Sequence, residues 1–369
     1  MHVGMAMTFQ NPGKPISDHQ MYKNELKIAD LAEPLGFNSI WGIEHHFTDY
    51  ICNPDVTQFL TYMAGRTEKI MLGTSVLVLP WHDPMWMAEK ISMLDNISDG
   101  RMILGLGRGA GKVEFEGYRM DMGESRERFV EAAKIVLPGL ERGYLEYDGA
   151  FFKQPRADIR PAPFKSFRGR TYASAVSPES SRIMAELGIG LLIIPQKPWA
   201  DVEKELNEYH RIFRDVNGTD APQPISFAWT FCDEDKDRAY EKAVEFIGGY
   251  YRTVLDHYEF ASDHMKTTKG YEWYGKFADR IQKDGEQSYV DYFLDLQVWG
   301  TPEMCVEKIL DVQKRVHSCG FVAALSYSGM PVDEAERNVR LFSDKVMPAL
   351  QAFEAGGAVD GSGQAMAAQ

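Results

Sequence analysis

The chain has no CxxC pair and no apolar run of the roughly 18 to 20 residues that a membrane-spanning helix needs. Its four cysteines, Cys52, Cys232, Cys305 and Cys319, stand far apart, which argues against a zinc-ligand cluster and predicts free thiols in a reducing cytoplasm. Met1-His2-Val3-Gly4 is not a basic segment leading into an apolar stretch, so no secretory leader is expected. Positive charge is also scarce: 40 Lys and Arg against 54 Asp and Glu leave a formal net charge of -14. Nucleic acid needs a basic face, so it is not an expected partner, and neither is a membrane. A single phosphate is different, because a few local arginines can hold it against the overall field. GxGxxG and the P-loop pattern are missing too, which removes the usual fingerprints for a dinucleotide or a nucleoside triphosphate.

What is present is an alternation of short apolar runs with helical patterns, the pattern of βα units and a parallel sheet. Strands are predicted at 3–9, 39–43, 70–79, 102–106, 171–176, 191–195, 225–232 and 321–327. Helices are predicted at 18–35, 84–97, 123–140 and 333–346. This count and order predict an α/β fold, a (β/α)8 TIM barrel with insertions, as one domain over 1–354. Residues 144–170, rich in proline and aromatics, read as a long connection. Residues 246–296 read as a lid-like insertion or an oligomer contact. Residues 355–369, Gly/Ala/Ser-rich, are expected to be a disordered tail.

Three groups stand at the carboxyl ends of predicted strands, where parallel α/β folds gather their chemistry. The first is Glu44-His45, followed by His46. Successive strand residues point to opposite faces, so only one of the two histidines is expected in a site. The second is Gly105-Leu106-Gly107-Arg108-Gly109-Ala110-Gly111, small residues that let backbone approach a ligand, with one guanidinium. Taken alone it reads as a flexible turn. The third is Ser174-Ala175-Val176-Ser177-Pro178-Glu179-Ser180-Ser181, where a helix N-terminus with free amide donors suits a phosphate, although in isolation simple capping by Ser177 is the favoured explanation. The coincidence of Arg108, Arg126, Ser177 and Ser180 near two neighbouring strand ends predicts a phosphate pocket. Among the aromatics, Trp81 and Trp229 are the pocket candidates.

Met7-Thr8-Phe9-Gln10, Glu44-His45-His46-Phe47-Thr48 with Asn53-Pro54, Leu72-Gly73-Thr74-Ser75-Val76, Gly107-Arg108-Gly109, Ser125-Arg126 and Gly300-Thr301-Pro302-Glu303 together resemble the bacterial luciferase-like flavin monooxygenases nearly end to end. The resemblance implies a non-prolyl cis peptide at Ser75-Val76, beneath a flavin. It implies reduced FMN, delivered as FMNH2 by a separate flavin reductase that uses NAD(P)H, and O2 activated as a flavin C4a-hydroperoxide. Cofactor contacts would come from Ser75, Val76, Gly107, Arg108, Ala110, Arg126, Ser174, Ala175, Val176, Ser177 and Ser180. His45 would steady the peroxide or shuttle its proton, and Glu44 would hold the ring or the flavin edge. The implied substrate is a small hydrophobic carbonyl or aromatic compound, and the implied assembly a homodimer. One departure stands out: Gly107 occupies the place where luciferases proper hold a reactive cysteine, which argues against light emission. Hydride transfer with a deazaflavin, or non-catalytic flavin binding, are the alternatives. A zinc hydrolase built on His45 and His46 is remote, since adjacent strand histidines diverge and no third ligand follows at standard spacing; no metal is expected.

Overall fold

The computed structural model describes residues 1–353. The tail expected at 355–369 lies outside the described residues. Eight parallel strands form the barrel: β1 (His2–Met7), β2 (Ser39–Gly42), β3 (Met71–Thr74), β4 (Met102–Gly107), β5 (Thr171–Ser174), β6 (Gly190–Ile193), β7 (Ile225–Cys232) and β8 (Gly320–Ala324). Each pairs with its neighbour in chain order, and β8 closes the ring on β1, with Met5 opposite both Ile40 and Ala323. Every residue of β2, β4, β6, β7 and β8 is buried, so these strands read as continuous apolar runs rather than alternating ones. Glycines make room inside. The Trp41 indole, whose Nε1 donates to Ser39 Oγ at 2.7 Å, lies where a Cβ on Gly73 would stand 2.2 Å from its Cδ2 and one on Gly4 2.6 Å from its Nε1.

The helices used below are α1 (Asp18–Ala29), α2 (Val56–Ala64), α3 (Pro84–Ile97), α4 (Lys112–Gly117), α5 (Ser125–Arg142), α6 (Pro178–Glu186), α7 (Trp199–Asn217), α8 (Lys236–His257), α9 (Gly275–Asp284), α10 (Glu286–Leu296), α11 (Pro302–Val316) and α12 (Val332–Leu341). Local chemistry sets their starts. Ser17, Asp55, Asp83, Ser177, Asp235 and Thr301 each accept a hydrogen bond from a backbone amide of the first turn. Among the described residues no helix is long and apolar enough to cross a membrane.

The structure changes several boundaries. The predicted strand 70–79 is broken: β3 stops at Thr74, the Ser75–Val76 peptide is cis, and Leu77–Val78 resumes pairing on β4. Helix α1 ends at Ala29 rather than Leu35, in turns closed by Gly36 at φ 88. The connection 144–170 holds an antiparallel hairpin, Tyr144–Asp148 with Lys153–Asp158. The insertion expected from residue 246 begins inside α8, whose 22 residues run from Lys236. Past α10 a short strand, Val298–Gly300, pairs with the outer end of β7.

Candidate active site

A cavity of about 1320 Å3, counted out to its open mouth, occupies the carboxyl end of the barrel. Its floor comes from the segments after β2, β3 and β4, its far side from β7 and α8.

Two guanidinium groups define one end. Arg108 follows β4, and Arg126 opens α5. Arg108 Nη1 and Arg126 Nη2 both donate to the Gly270 carbonyl, at 2.8 and 2.9 Å, and the Arg108 guanidinium lies 3.9 Å from the centre of the Tyr271 ring. Nε and Nη1 of Arg126 are buried and make no hydrogen bond; Nη1 comes within 3.0 Å of the Glu179 carboxylate, but without hydrogen-bond alignment. Burial first, and then the charge of Arg108, lower the pKa of Arg126. Buried cationic donors left over beside a second cation are a site for an anion. Ser174, Ser180 and the N-terminus of α6 border the same end.

His45 defines the other end. Its Nδ1 lies 2.9 Å from Oε1 of Glu114, which also accepts the His46 backbone N–H at 2.9 Å. Its Nε2 lies 3.3 Å from the Tyr258 hydroxyl, on the cavity side. Glu114, on α4, is fully buried, and His257 Nε2 stands 3.4 Å from its second oxygen. Burial works to raise the Glu114 carboxyl, but the charges and hydrogen bonds of His45 and His257 outweigh it and bring the pKa down to about 2. The His46 ring turns the other way, with Nε2 3.2 Å from Glu44 Oε1. The two imidazoles therefore diverge, each tied to a different glutamate.

The luciferase-like monooxygenase family matches residues 1–318 of this chain. The chain belongs to that family. It is a flavin-dependent monooxygenase by that membership. The alkanal monooxygenase alpha chain of Photorhabdus luminescens is 28% identical over 358 residues, covering 94% of this chain and 95% of the relative. The oxygenating constituent of 3,6-diketocamphane monooxygenase from Pseudomonas putida, solved with FMN, shares the fold with a TM-score of 0.73 at 18% identity, over 94% of this chain and 98% of that one. An F420-dependent secondary alcohol dehydrogenase, solved with an F420-acetone adduct, does so with a TM-score of 0.70 at 17% identity, over 95% and 98%.

In this luciferase-like monooxygenase the cavity lining unites Glu44, His45, Ser75, Val76, Gly107, Arg108, Ala110, Arg126, Ser174, Val176, Ser180 and Trp229. Three of the residues singled out from sequence stand outside it. Trp81 packs edge-on against the His46 ring at 5.2 Å and beside Phe115, behind the wall. Ala175 alternates away from the cavity, between Ser174 and Val176. Ser177 spends its Oγ as the cap of α6, accepting from Ser180 N–H at 3.2 Å.

Glu44 lines the cavity while its carboxylate faces protein groups. Its Oε2 accepts the Val78 N–H at 2.8 Å, and its Oε1 faces His82 Nε2 at 2.5 Å. Burial pushes its carboxyl up, but the bonds from His46, His82 and Val78 hold it below the usual range. Both oxygens thus have protein partners, one of them the Val78 N–H just after the cis peptide. The sequence reading missed Glu114 and His257. Glu114 sits on a six-residue helix with no strong periodicity, and His257 ends a long helix, distant in sequence from any motif. Among the described residues His45, Glu114 and His257 bring one possible ligand atom each within 4.8 Å of one another, and His46 is not part of that group. The 2.9 Å Nδ1–Oε1 contact is a hydrogen bond.

Proposed function

We propose that this chain is the oxygenating component of a two-component, FMNH2-dependent monooxygenase acting on a small hydrophobic carbonyl or aromatic compound. One observation carries the reading: buried, unspent guanidinium donors at one end of an aromatic-walled cavity and an imidazole at the other. A flavin phosphate suits the first and a flavin ring suits the wall, so the residues fit the cofactor.

Reduced flavin, when bound, supplies the electrons that activate O2. The protein does the rest. Arg108, Arg126, Ser174 and Ser180 bind the phosphate through charge-assisted bonds. Phe227, Trp229, Tyr250, Tyr251, Val254 and Phe293 exclude water from the reacting end, with Trp229 stacked on Tyr250 at 4.2 Å and Tyr251 on Phe293 at 4.0 Å. Trp229 also has a buried indole N–H without a partner, a donor suited to a carbonyl oxygen. His45 Nε2 holds or moves the proton. Segment 246–296 covers the substrate. The missing dinucleotide fingerprint supports delivery of FMNH2 by a separate reductase. A homodimer through α3 accounts for the stripe of Trp86, Met93 and Ile97, spaced one face apart on α3 and 71%, 52% and 43% exposed.

The F420-dependent dehydrogenase of the same fold supports a second reading, hydride transfer with a deazaflavin. Anaerobic titration with each reduced cofactor, followed by 18O2 and a panel of apolar aldehydes, ketones and aromatics, separates the two. FMNH2 binding with label in the product is the expected result. Binding of the deazaflavin alone, with substrate oxidised and no label gained, overturns it. His45→Ala should keep FMN affinity within about threefold and lower turnover by about 100-fold.

A further inference from the structure

Glu114 carries a negative charge where no water reaches, a placement that is costly without compensation. Three groups compensate it from three directions: the His45 ring and the His46 backbone amide on Oε1, and the His257 ring near Oε2. An ionised carboxylate only accepts hydrogen bonds, so the His45 nitrogen 2.9 Å away is the one bearing hydrogen. In a neutral imidazole the other nitrogen then carries the lone pair. That nitrogen, Nε2, is the one on the cavity side.

The second imidazole stands beside the other carboxylate oxygen without a hydrogen bond to it. His257 turns Nε2 to the carboxylate, and its Nδ1 lies 2.8 Å from the Thr48 hydroxyl, which can donate to it. The His257 ring also lies flat on Tyr50, at 4.6 Å and 26°, and edge-on to His45 at 5.0 Å. Gly111, ahead of α4, makes the arrangement sterically feasible. A Cβ built there would stand 2.4 Å from Glu114 Oε2 and 2.7 Å from His257 Nε2. Its φ of -76 is open to any residue, so glycine is required here by space and not by conformation.

We propose that Glu114 is a positioning residue that, with His257 beside it and room given by Gly111, holds the Nδ1–H of His45 on its carboxylate, so that the neutral ring carries its lone pair at Nε2, on the cavity side beside the Tyr258 hydroxyl at 3.3 Å. The consequence for turnover rests on the monooxygenase reading above; the tautomer itself does not. Because the carboxylate accepts from His45 at Oε1 and faces the His257 ring at Oε2, loss of either Glu114 or the room beside Gly111 disturbs both imidazoles.

Nitrogen-15 NMR of the imidazole rings in the full chain without cofactor reads the tautomer directly, with the His45 resonances assigned from the His45→Gln spectrum. The expected result is His45 protonated at Nδ1 and bare at Nε2. In Glu114→Gln the carboxamide no longer demands a donor, and the signals should move to a mixture of tautomers, while Glu114→Asp restores part of the wild-type pattern. Gly111→Ala keeps all three side chains, and should shift the His45 and His257 signals together. With FMNH2, Glu114→Gln should lower kcat by about 100-fold and leave KM within about threefold. Wild-type His45 protonated at Nε2, or an unchanged tautomer in both Glu114→Gln and Gly111→Ala, overturns the proposal. If Glu114→Gln fails to fold, the wild-type and Gly111→Ala spectra decide. Because these spectra need no flavin, failure of the monooxygenase reading would leave them standing, and the two failures are told apart.

Discussion

Gly107 and Val76 are matched across the mouth of the barrel: a Cβ on Gly107 would stand 2.1 Å from Val76 Cγ2. The valine methyl fills the space that a side chain at position 107 would take. Gly107→Cys alone should therefore overpack the site and cost about 1–3 kcal/mol in urea unfolding. Combined with Val76→Ala, most of that loss should return, because residues in contact are not additive. Additive costs would show that the two do not share the space.

Arg108 and Arg126 are expected to read the phosphate and not the flavin ring. Arg126→Ala should weaken FMN binding by about 10- to 100-fold, the range set by one or two charge-assisted hydrogen bonds. Riboflavin, which lacks the phosphate, should bind wild type and variant alike in a fluorescence titration. An equal loss for both ligands would remove the phosphate assignment.

Glu25 is buried between the Phe9 N–H, 3.3 Å away, and the Ser326 hydroxyl, 2.6 Å away. Burial pushes its carboxyl up to about 7 from 4.5. The folded chain thus binds this proton more tightly than the unfolded one. Its contribution to stability is complete below about pH 4.5 and is lost as pH rises through about 7. Relative to Glu25→Gln, wild type should lose up to about 3 kcal/mol between pH 4 and 8. A stability difference flat across that range in chemical denaturation would contradict the assignment.

The α3 stripe is expected to be covered by a second copy of the chain. Sedimentation velocity of wild type should give the mass of two chains, and Trp86→Glu, which places a charge in the stripe, should give the mass of one. A wild-type monomer at micromolar concentration would refute the dimer.

The barrel was legible because its strands are buried on both faces and stand out as apolar runs; residues 225–232 match β7 at both ends. Boundaries failed where backbone geometry changes within an apolar run, as at Ser75–Val76, which no periodicity marks. The hairpin at 144–158 was hidden because its strands are largely exposed and carry proline and charge in place of an apolar face. In the site, Arg108 and Ser174 were readable because they directly follow or end strands. Glu114 and His257 were not, since what makes them matter is contact across 143 residues, visible only once α4 and α8 are packed around His45.

The Gly270 carbonyl meets only one prong of each guanidinium fork. A planar side chain with five donors can keep that grip and still clasp an anion with its free edge. Residues 258–275, a strap that carries Gly270, and the phosphate of the proposed cofactor would thus be held by the same two side chains instead of competing for them. A lysine at either position, with its single ammonium, would have to be shared between them, and the strap would loosen whenever the anion was held.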